Sequence, residues 1–408
     1  MYDMTHGSAN YGADTRLPGM KFAAIARPPV VFGKVKSYDA SAALAVAGVE
    51  QVVEIPAAEP PAMFKALGGL AVIASNSWAA LKARDLLAIE WDDGPNADYD
   101  SSTYRMALLE AVRQPGTVRR SEGDADAALA AAAQTVTAEY YAPLLAHAPM
   151  EPPAAVASVT ADFCEIWAPV QDPQSLIPMA EAVTGFPPAQ IRINVTLLGG
   201  AFGRKSKCDF AEEAVFLSKQ LGAPVLVQWS REDDIRHDYF HSVSAQRLEA
   251  GLDEAGHVTA WRHRLCYPTI FSTFDAAARE PVTLELGLGA QNVPYAIPNL
   301  RLETGPIDAK VRIGWLRSVC NIFQSFAINA FSDEIAHARG ADPLDNLLQL
   351  LGPDREIDVA ALGLEATEGH PFETARLRHV IRKVAEEAGW GRDLPAGHGL
   401  GIAAQYSF

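Results

Sequence analysis

The sharpest pattern in the chain is a strict alternation at Ile191, Ile193, Val195 and Leu197, with Arg192, Asn194 and Thr196 between them. Period two over seven residues predicts a strand with one buried face. It runs straight into Gly199-Gly200-Ala201-Phe202-Gly203-Arg204-Lys205. Beyond this loop, Phe210, Ala214, Leu217 and Leu221 recur at four-three-four spacing, the apolar stripe of a helix. Asp209 stands where it could cap that helix, and Gly222 with Pro224 where they would stop it. Residues 225–229 read as a further strand.

The first hundred residues alternate short strands (20–26, 50–55, 70–74) with helices. One helix covers 40–47, and a second, capped by Asn76, runs to residue 87 with Trp78, Leu81 and Asp85 at helical spacing. The acidic stretch 91–96 reads as a surface turn, and 101–113 as a helix within a linker. This places one small α+β domain at 1–115 and a larger mixed α+β domain at 116–408. In the larger part the Ala-rich run 127–133 predicts a helix. Strands follow at 136–141, 154–159 and 164–167, then a helix through residue 180. Phe323, Phe326, Ala330 and Ala338 line a helix ending near Gly340. Asp342 and Pro343 start the next, and Gly352-Pro353 ends it. Residues 400–408 read as a strand opening after Gly397 and Gly399. An edge covered by a loop and an edge completed by a second polypeptide both fit it.

Composition narrows the function classes. Thirty-four Lys and Arg against fifty Asp and Glu give a formal charge of −16. Nucleic-acid grooves and anionic membrane surfaces need clustered positive charge, so neither is expected as a partner. No run of about eighteen apolar residues is present, so no membrane-spanning helix is expected. The first ten residues lack the basic-then-apolar pattern of a signal peptide, and cytoplasmic and periplasmic locations both stay open. Cys164, Cys208, Cys266 and Cys320 are scattered with no CxxC pair. That argues against a zinc or iron–sulfur site built by this chain alone.

Three segments carry candidate chemistry. A strand feeding a glycine-rich turn and then a helix bares backbone N–H groups, donors suited to an anionic ligand. The turn is neither a P-loop, because Arg204 separates Gly203 from Lys205, nor a GxGxxG loop. A tight structural turn and a cofactor wall built on Phe202 both fit. Gln171, in Trp167-Ala168-Pro169-Val170-Gln171-Asp172-Pro173-Gln174, lies just past a strand end, and its amide can both donate and accept. A surface cap is the plainer reading. Arg317, in Gly314-Trp315-Leu316-Arg317-Ser318-Val319, precedes an apolar helix and could hold an anion or simply face solvent. Among acid–base groups, His147 could pair with Glu151. His237 and His241, four apart, could ligate a metal, although no third ligand is apparent. The run 231–236 reads as a solvated turn with local ion pairs.

In order and spacing, these segments resemble the molybdenum-binding large subunit of the xanthine dehydrogenase and aldehyde oxidase family, most of all its isoquinoline 1-oxidoreductase beta-subunit branch. The matching stretches are DTRLPGMKFAAIARP from Asp14, AHAPMEP from Ala146 and WAPVQDPQ from Trp167. GGAFGRK from Gly199, VQWSREDDIRHD from Val227 and GWLRSV from Gly314 complete the set. The resemblance implies a small α/β-hammerhead-like domain followed by a molybdenum-cofactor-binding domain. It implies a molybdopterin cytosine dinucleotide and hydroxylation of an aldehyde or N-heterocycle with water as oxygen source. It assigns Gln171 to the apical oxo ligand, and Gly199, Gly200, Ala201, Phe202, Gly203, Arg204 and Arg317 to cofactor contact. Molybdenum would be held through the pterin dithiolene, with no direct protein ligand. Gln171 and Arg317 are the catalytic candidates. An iron–sulfur small subunit with two [2Fe–2S] clusters, then FAD or cytochrome, would take the electrons. Ser206 and Leu286 stand where the purine enzymes carry their substrate glutamate and arginine, so a purine substrate is not expected. The family's general-base glutamate would lie beyond residue 408, which predicts a partner chain supplying a C-terminal cofactor domain, or a partial product. A non-catalytic assembly or binding protein of the same fold is the alternative; a nucleotide-binding enzyme would need the motifs that fail above.

Overall fold

The computed structural model describes residues 1–365 and 371–407. Seven strands form the larger sheet, in the order Ile191–Val195, Cys164–Ala168, Ala154–Val159, Val225–Gln228, Lys21–Ala26, Gly69–Ala74 and Val49–Ile55. Gly69–Ala74 is buried on both faces, which a continuous run of Leu, Ala, Val and Ile allows. Ala71 and Ile73 face one core with Phe210, Ala214 and Leu217 of the Asp209–Leu221 helix. Val72 and Ala74 face the other side, toward Ala79, Ala80 and Ala83 of the Ser77–Arg84 helix.

This sheet bears on the division expected near residue 115. Lys21–Ala23 pairs in parallel with Val225–Val227 on one side, and Phe22–Ala26 pairs antiparallel with Leu70–Ala74 on the other. Strands from both sides of the division therefore share one hydrogen-bonded sheet. A separate two-stranded ribbon joins Lys34–Asp39 to Ala88–Asp92. The acidic surface turn expected at 91–96 is thus a strand end at Trp91 and Asp92, then a short turn at Gly94–Asn96.

The second sheet has five strands: Thr117–Glu122, Asn299–Gly305, Val258–Cys266, Ser244–Leu252 and Gln134–Ala142. On one face, Leu248, Trp261 and Leu300 pack against Phe331, Ile335 and Leu347 from the Asn321–Arg339 and Pro343–Leu351 helices. On the other, Leu108 and Val112 of the Ser101–Arg113 helix pack on Val243, Ala245 and Cys266. That helix is a core element of this sheet rather than a free linker.

Several local expectations change for physical reasons. In the Ser77–Arg84 helix Asn76 does cap, accepting from the Ala79 N–H, but Trp78 is exposed and three alanines form the buried face. In Asn321–Arg339 the buried stripe is Phe323, Ala327, Phe331 and Ile335, while Phe326 points outward. The Ala-rich helix spans only Ala125–Ala130, because the Ala133 N–H is drawn to the sheet at Leu252 O. The 40–47 helix shortens to Ser41–Leu44. Asp209 does not cap: it is the first helical residue, and its carboxylate is taken by Arg204 and Arg312.

Residues 400–407 form no strand; Phe408 lies outside the described residues. Two asparagines of the Asn321–Arg339 helix hold this segment at Ala404, Gln405 and Ser407. Asn329 brackets Ala404, accepting from its N–H at 3.0 Å and donating to its carbonyl at 3.2 Å. Asn321 bonds Gln405 Nε2 and Ser407 Oγ.

Candidate cofactor site

The glycine loop hangs from the sheet-edge strand Ile191–Val195 and is tied down by Glu151. One Glu151 oxygen accepts from the Gly199 N–H at 3.0 Å and from Lys205 Nζ at 2.7 Å, and the other accepts from the Gly12 N–H. The Glu151 N–H in turn donates to Gly199 O. Lys205 is fully buried; burial lowers its pKa, and Glu151 opposes that shift. Breaking a buried pair by removing one partner costs about 3–5 kcal/mol. Glu151→Ala is therefore expected to lower the denaturant midpoint clearly, whereas Met150→Ala, at an exposed position, is not.

Past Glu151 the backbone turns through left-handed conformations at Gly200 (φ 88°), Phe202 (φ 57°) and Gly203 (φ 108°). Gly203 is the tightest point, since a Cβ there would lie 2.1 Å from Trp315 O. Gln171 meets the loop here. Its N–H donates to Lys205 O, and its Oε1 accepts from the Gly203 N–H at 3.0 Å. Because the Gly203 amide can only donate, the facing atom is the oxygen, and the Gln171 NH₂ is left pointing elsewhere as a donor. The third segment closes the cluster, with the Arg317 N–H donating to Phe202 O at 2.8 Å.

The structure therefore brings Gln171, Gly199–Gly203 and Arg317 together at one open face. Gln171 and Arg317 are exposed, and Phe202 is 46% exposed. Among the described residues, the N–H groups of Gly200, Ala201 and Phe202 meet no protein acceptor, although Ala201 is only 3% exposed. Unpaired amides beside a buried residue are costly unless a ligand or water accepts from them. Strain gathers here too. Among the described residues seven non-glycine residues have positive φ, and Ala148, Phe202, Ser318 and Val319 all belong to the segments that build this cluster. Val319, β-branched at φ 48°, is the clearest outlier.

One expected member does not join them. Arg204 turns into the interior, where it is fully buried and paired with Asp209 at 2.8 Å and Asp238 at 3.1 Å. Its guanidinium holds the loop from beneath and is not available to a ligand.

The acid–base readings are also corrected. His147 pairs with Asp238, not Glu151, through Nδ1 at 2.8 Å, and its Nε2 faces Trp315 O at 2.9 Å. Burial pushes the Asp238 carboxyl up, but the His147 hydrogen bond and the Arg204 charge outweigh it and hold it below the usual range. His237 and His241 share no helix. The helix ends at Arg236, and His241 sits in a bridge to Leu145. Burial lowers both, to about 3 and about 4. No metal-holding group of three His, Cys, Asp or Glu exists among the described residues.

The run expected as a solvated turn is a capped helix, Arg231–Arg236. Asp233 pairs with Arg84, and Asp234 pairs with Arg231, whose other nitrogen reaches Pro149 O and Met150 O. Sequence reasoning missed Glu151 as an anchor, the His147–Asp238 pair, Lys207, and the part Ser206 plays in holding the loop. Ser206 Oγ donates to Gly203 O and accepts from Trp315 Nε1.

Comparison with known proteins defines the class. Residues 110–346, more than half of the chain, match the molybdopterin cofactor-binding domain, and the chain belongs to that family. It is 27% identical over 371 residues to a nicotinate dehydrogenase polypeptide of Pseudomonas putida, covering 90% of this chain and 31% of that protein. It is also 27% identical over 423 residues to the isoquinoline 1-oxidoreductase beta chain of Brevundimonas diminuta, covering 98% and 49%. The fold is similar to that of quinoline 2-oxidoreductase from Pseudomonas putida 86, with a TM-score of 0.70 at 19% identity over 95% of this chain and 53% of that one. The chain thus spans from about a third to about half of these relatives' length. No helix among the described residues is long and apolar enough to cross a membrane.

Proposed function

We propose that the face formed by Gln171, Gly200–Phe202 and Arg317 holds a molybdopterin cytosine dinucleotide. On this reading the chain is the cofactor-binding part of an oxidoreductase that hydroxylates an aldehyde or an N-heterocyclic aromatic. The observation that carries it is the row of three N–H groups without a protein acceptor, held between strained backbone turns. Amides fixed in this way suit anionic oxygens, and holding them ready costs nothing further when a ligand arrives. Gln171, locked by the Gly203 N–H, offers its NH₂ to an oxygen acceptor on the same face. The Phe202 ring walls the loop side. The Arg317 guanidinium, with no ion pair among the described residues, adds positive charge. When bound, the cofactor supplies the redox centre that takes two electrons from the substrate carbon while water supplies the oxygen.

The remaining assignments extend this reading. An iron–sulfur small subunit with [2Fe–2S] clusters, then FAD or cytochrome, would take the electrons. The general base comes from polypeptide other than residues 1–408. A purine substrate is disfavoured because the Ser206 hydroxyl is already bonded to Gly203 and Trp315, and Leu286 is buried in an apolar cluster. The assembled enzyme is expected to contain about one molybdenum per chain and to place oxygen-18 from labelled water into the product. Molybdenum absent from the reconstituted complex would support the non-catalytic alternative instead.

A further inference from the structure

Beneath the open face lie two donors that the reading above does not use. Lys207 is fully buried, and no carboxylate lies within ion-pair distance of it among the described residues. Its Nζ instead donates to Gly203 O at 2.5 Å and approaches Trp315 O at 3.4 Å, while lying 4.0 Å from the centroid of the Trp315 ring. His147 reaches the same Trp315 carbonyl from another side, and since a carbonyl only accepts, Nε2 is the donor there. Asp238 fixes that ring through Nδ1.

These contacts have a consequence across one peptide plane. In a trans peptide the C=O and the following N–H point in opposite directions. A Trp315 carbonyl held inward therefore turns the Leu316 N–H away from the interior. That N–H meets no acceptor among the described residues, and Leu316 is partly exposed. It lies next to Arg317, whose own N–H is spent on Phe202 O. We propose that Lys207 and His147 are positioning residues that hold the Trp315 carbonyl inward and so present the Leu316 N–H to the cofactor, a fourth backbone donor beside those of Gly200–Phe202. The assignment rests on the reading of this face as the cofactor site.

A buried, unpaired lysine burdens the fold; burial pushes its pKa well down, and the Arg204 charge adds to that. Its removal should therefore spare stability and damage the site. In the assembled enzyme, Lys207→Met is expected to keep or raise the melting temperature and to weaken cofactor retention about tenfold or more, the scale of losing one hydrogen bond to a charged group. Lys207→Gln, which keeps a donor without the charge, should recover most of that loss. A lower melting temperature with full cofactor per folded chain would make Lys207 purely structural and overturn the proposal.

Amide hydrogen exchange in the unaltered enzyme decides the matter even if the variants fail to fold. Slower exchange at both Phe202 and Leu316 on loading is the expected result. Slowing at Phe202 without slowing at Leu316 overturns this proposal and leaves the site assignment standing. No slowing at either, in enzyme that contains molybdenum, overturns the site assignment itself.

Discussion

Gly203→Ala is expected to leave a folded chain with less than a tenth of the normal cofactor content. Two costs act together. At φ 108° an alanine lies well outside the left-handed well near +60°, a strain of about 1–3 kcal/mol. Its Cβ would also stand 2.1 Å from Trp315 O, where contact is impossible. The carbonyl cannot simply retreat, because His147 Nε2 and the Arg317–Phe202 hydrogen bond hold that segment against the loop. The loop must open instead, and its amides then lose their common direction. Gly222 provides the control, with a positive φ of 62° but nothing within 4 Å of its missing Cβ. Gly222→Ala should cost about 1 kcal/mol and spare cofactor content. Molybdenum analysis together with thermal unfolding separates the two; full occupancy in Gly203→Ala would show that the loop does not face the cofactor.

Gln171→Ala should lower turnover of the assembled enzyme by about 10²–10³, the usual cost of removing one preorganised donor from a site where charge develops. Stability should hardly change. Gln171 is exposed, and water can replace Oε1 as acceptor for the Gly203 N–H. Gln171→Glu locates the effect. An ionised carboxylate still accepts from the Gly203 N–H but has no proton to give to an oxygen on the open face. It should match Gln171→Ala in turnover while leaving the loop intact. If Gln171→Glu were fully active, the NH₂ would have no role and Gln171 would be only a loop anchor. Steady-state rates per molybdenum are the quantity to compare.

Much of this was legible along the chain wherever the information is local. Period two at 191–197 marks the strand that carries the loop, and the stripe Phe210–Ala214–Leu217 marks the helix after it. The glycine loop, Gln171 and Arg317 each stand out by residue type, and the structure brings all three to one place. What stayed hidden depends on partners far apart in sequence. His147 and Asp238 are 91 positions apart, and Glu151 reaches back 139 positions to Gly12. A charge run such as 231–236 suggests solvent until Arg84 arrives from a distant helix to neutralise it. Arg204 misleads for the same reason: next to a glycine loop an arginine suggests a ligand contact, yet Asp209 and Asp238 draw it inward. Trp78 and Phe326 show the limit of helical spacing, since the small residues beside them make the closer-packed face.

Whether the three loop amides meet the cofactor can be read from a structure of the cofactor-loaded enzyme. The distances to read are those from the Gly200, Ala201 and Phe202 nitrogens to the nearest cofactor atoms. At least two of them should fall at about 2.7–3.2 Å from an oxygen of the cofactor, with Gln171 Nε2 on the same side. A map in which these nitrogens bond water or another protein segment, while the pterin and its metal sit elsewhere, would contradict the account.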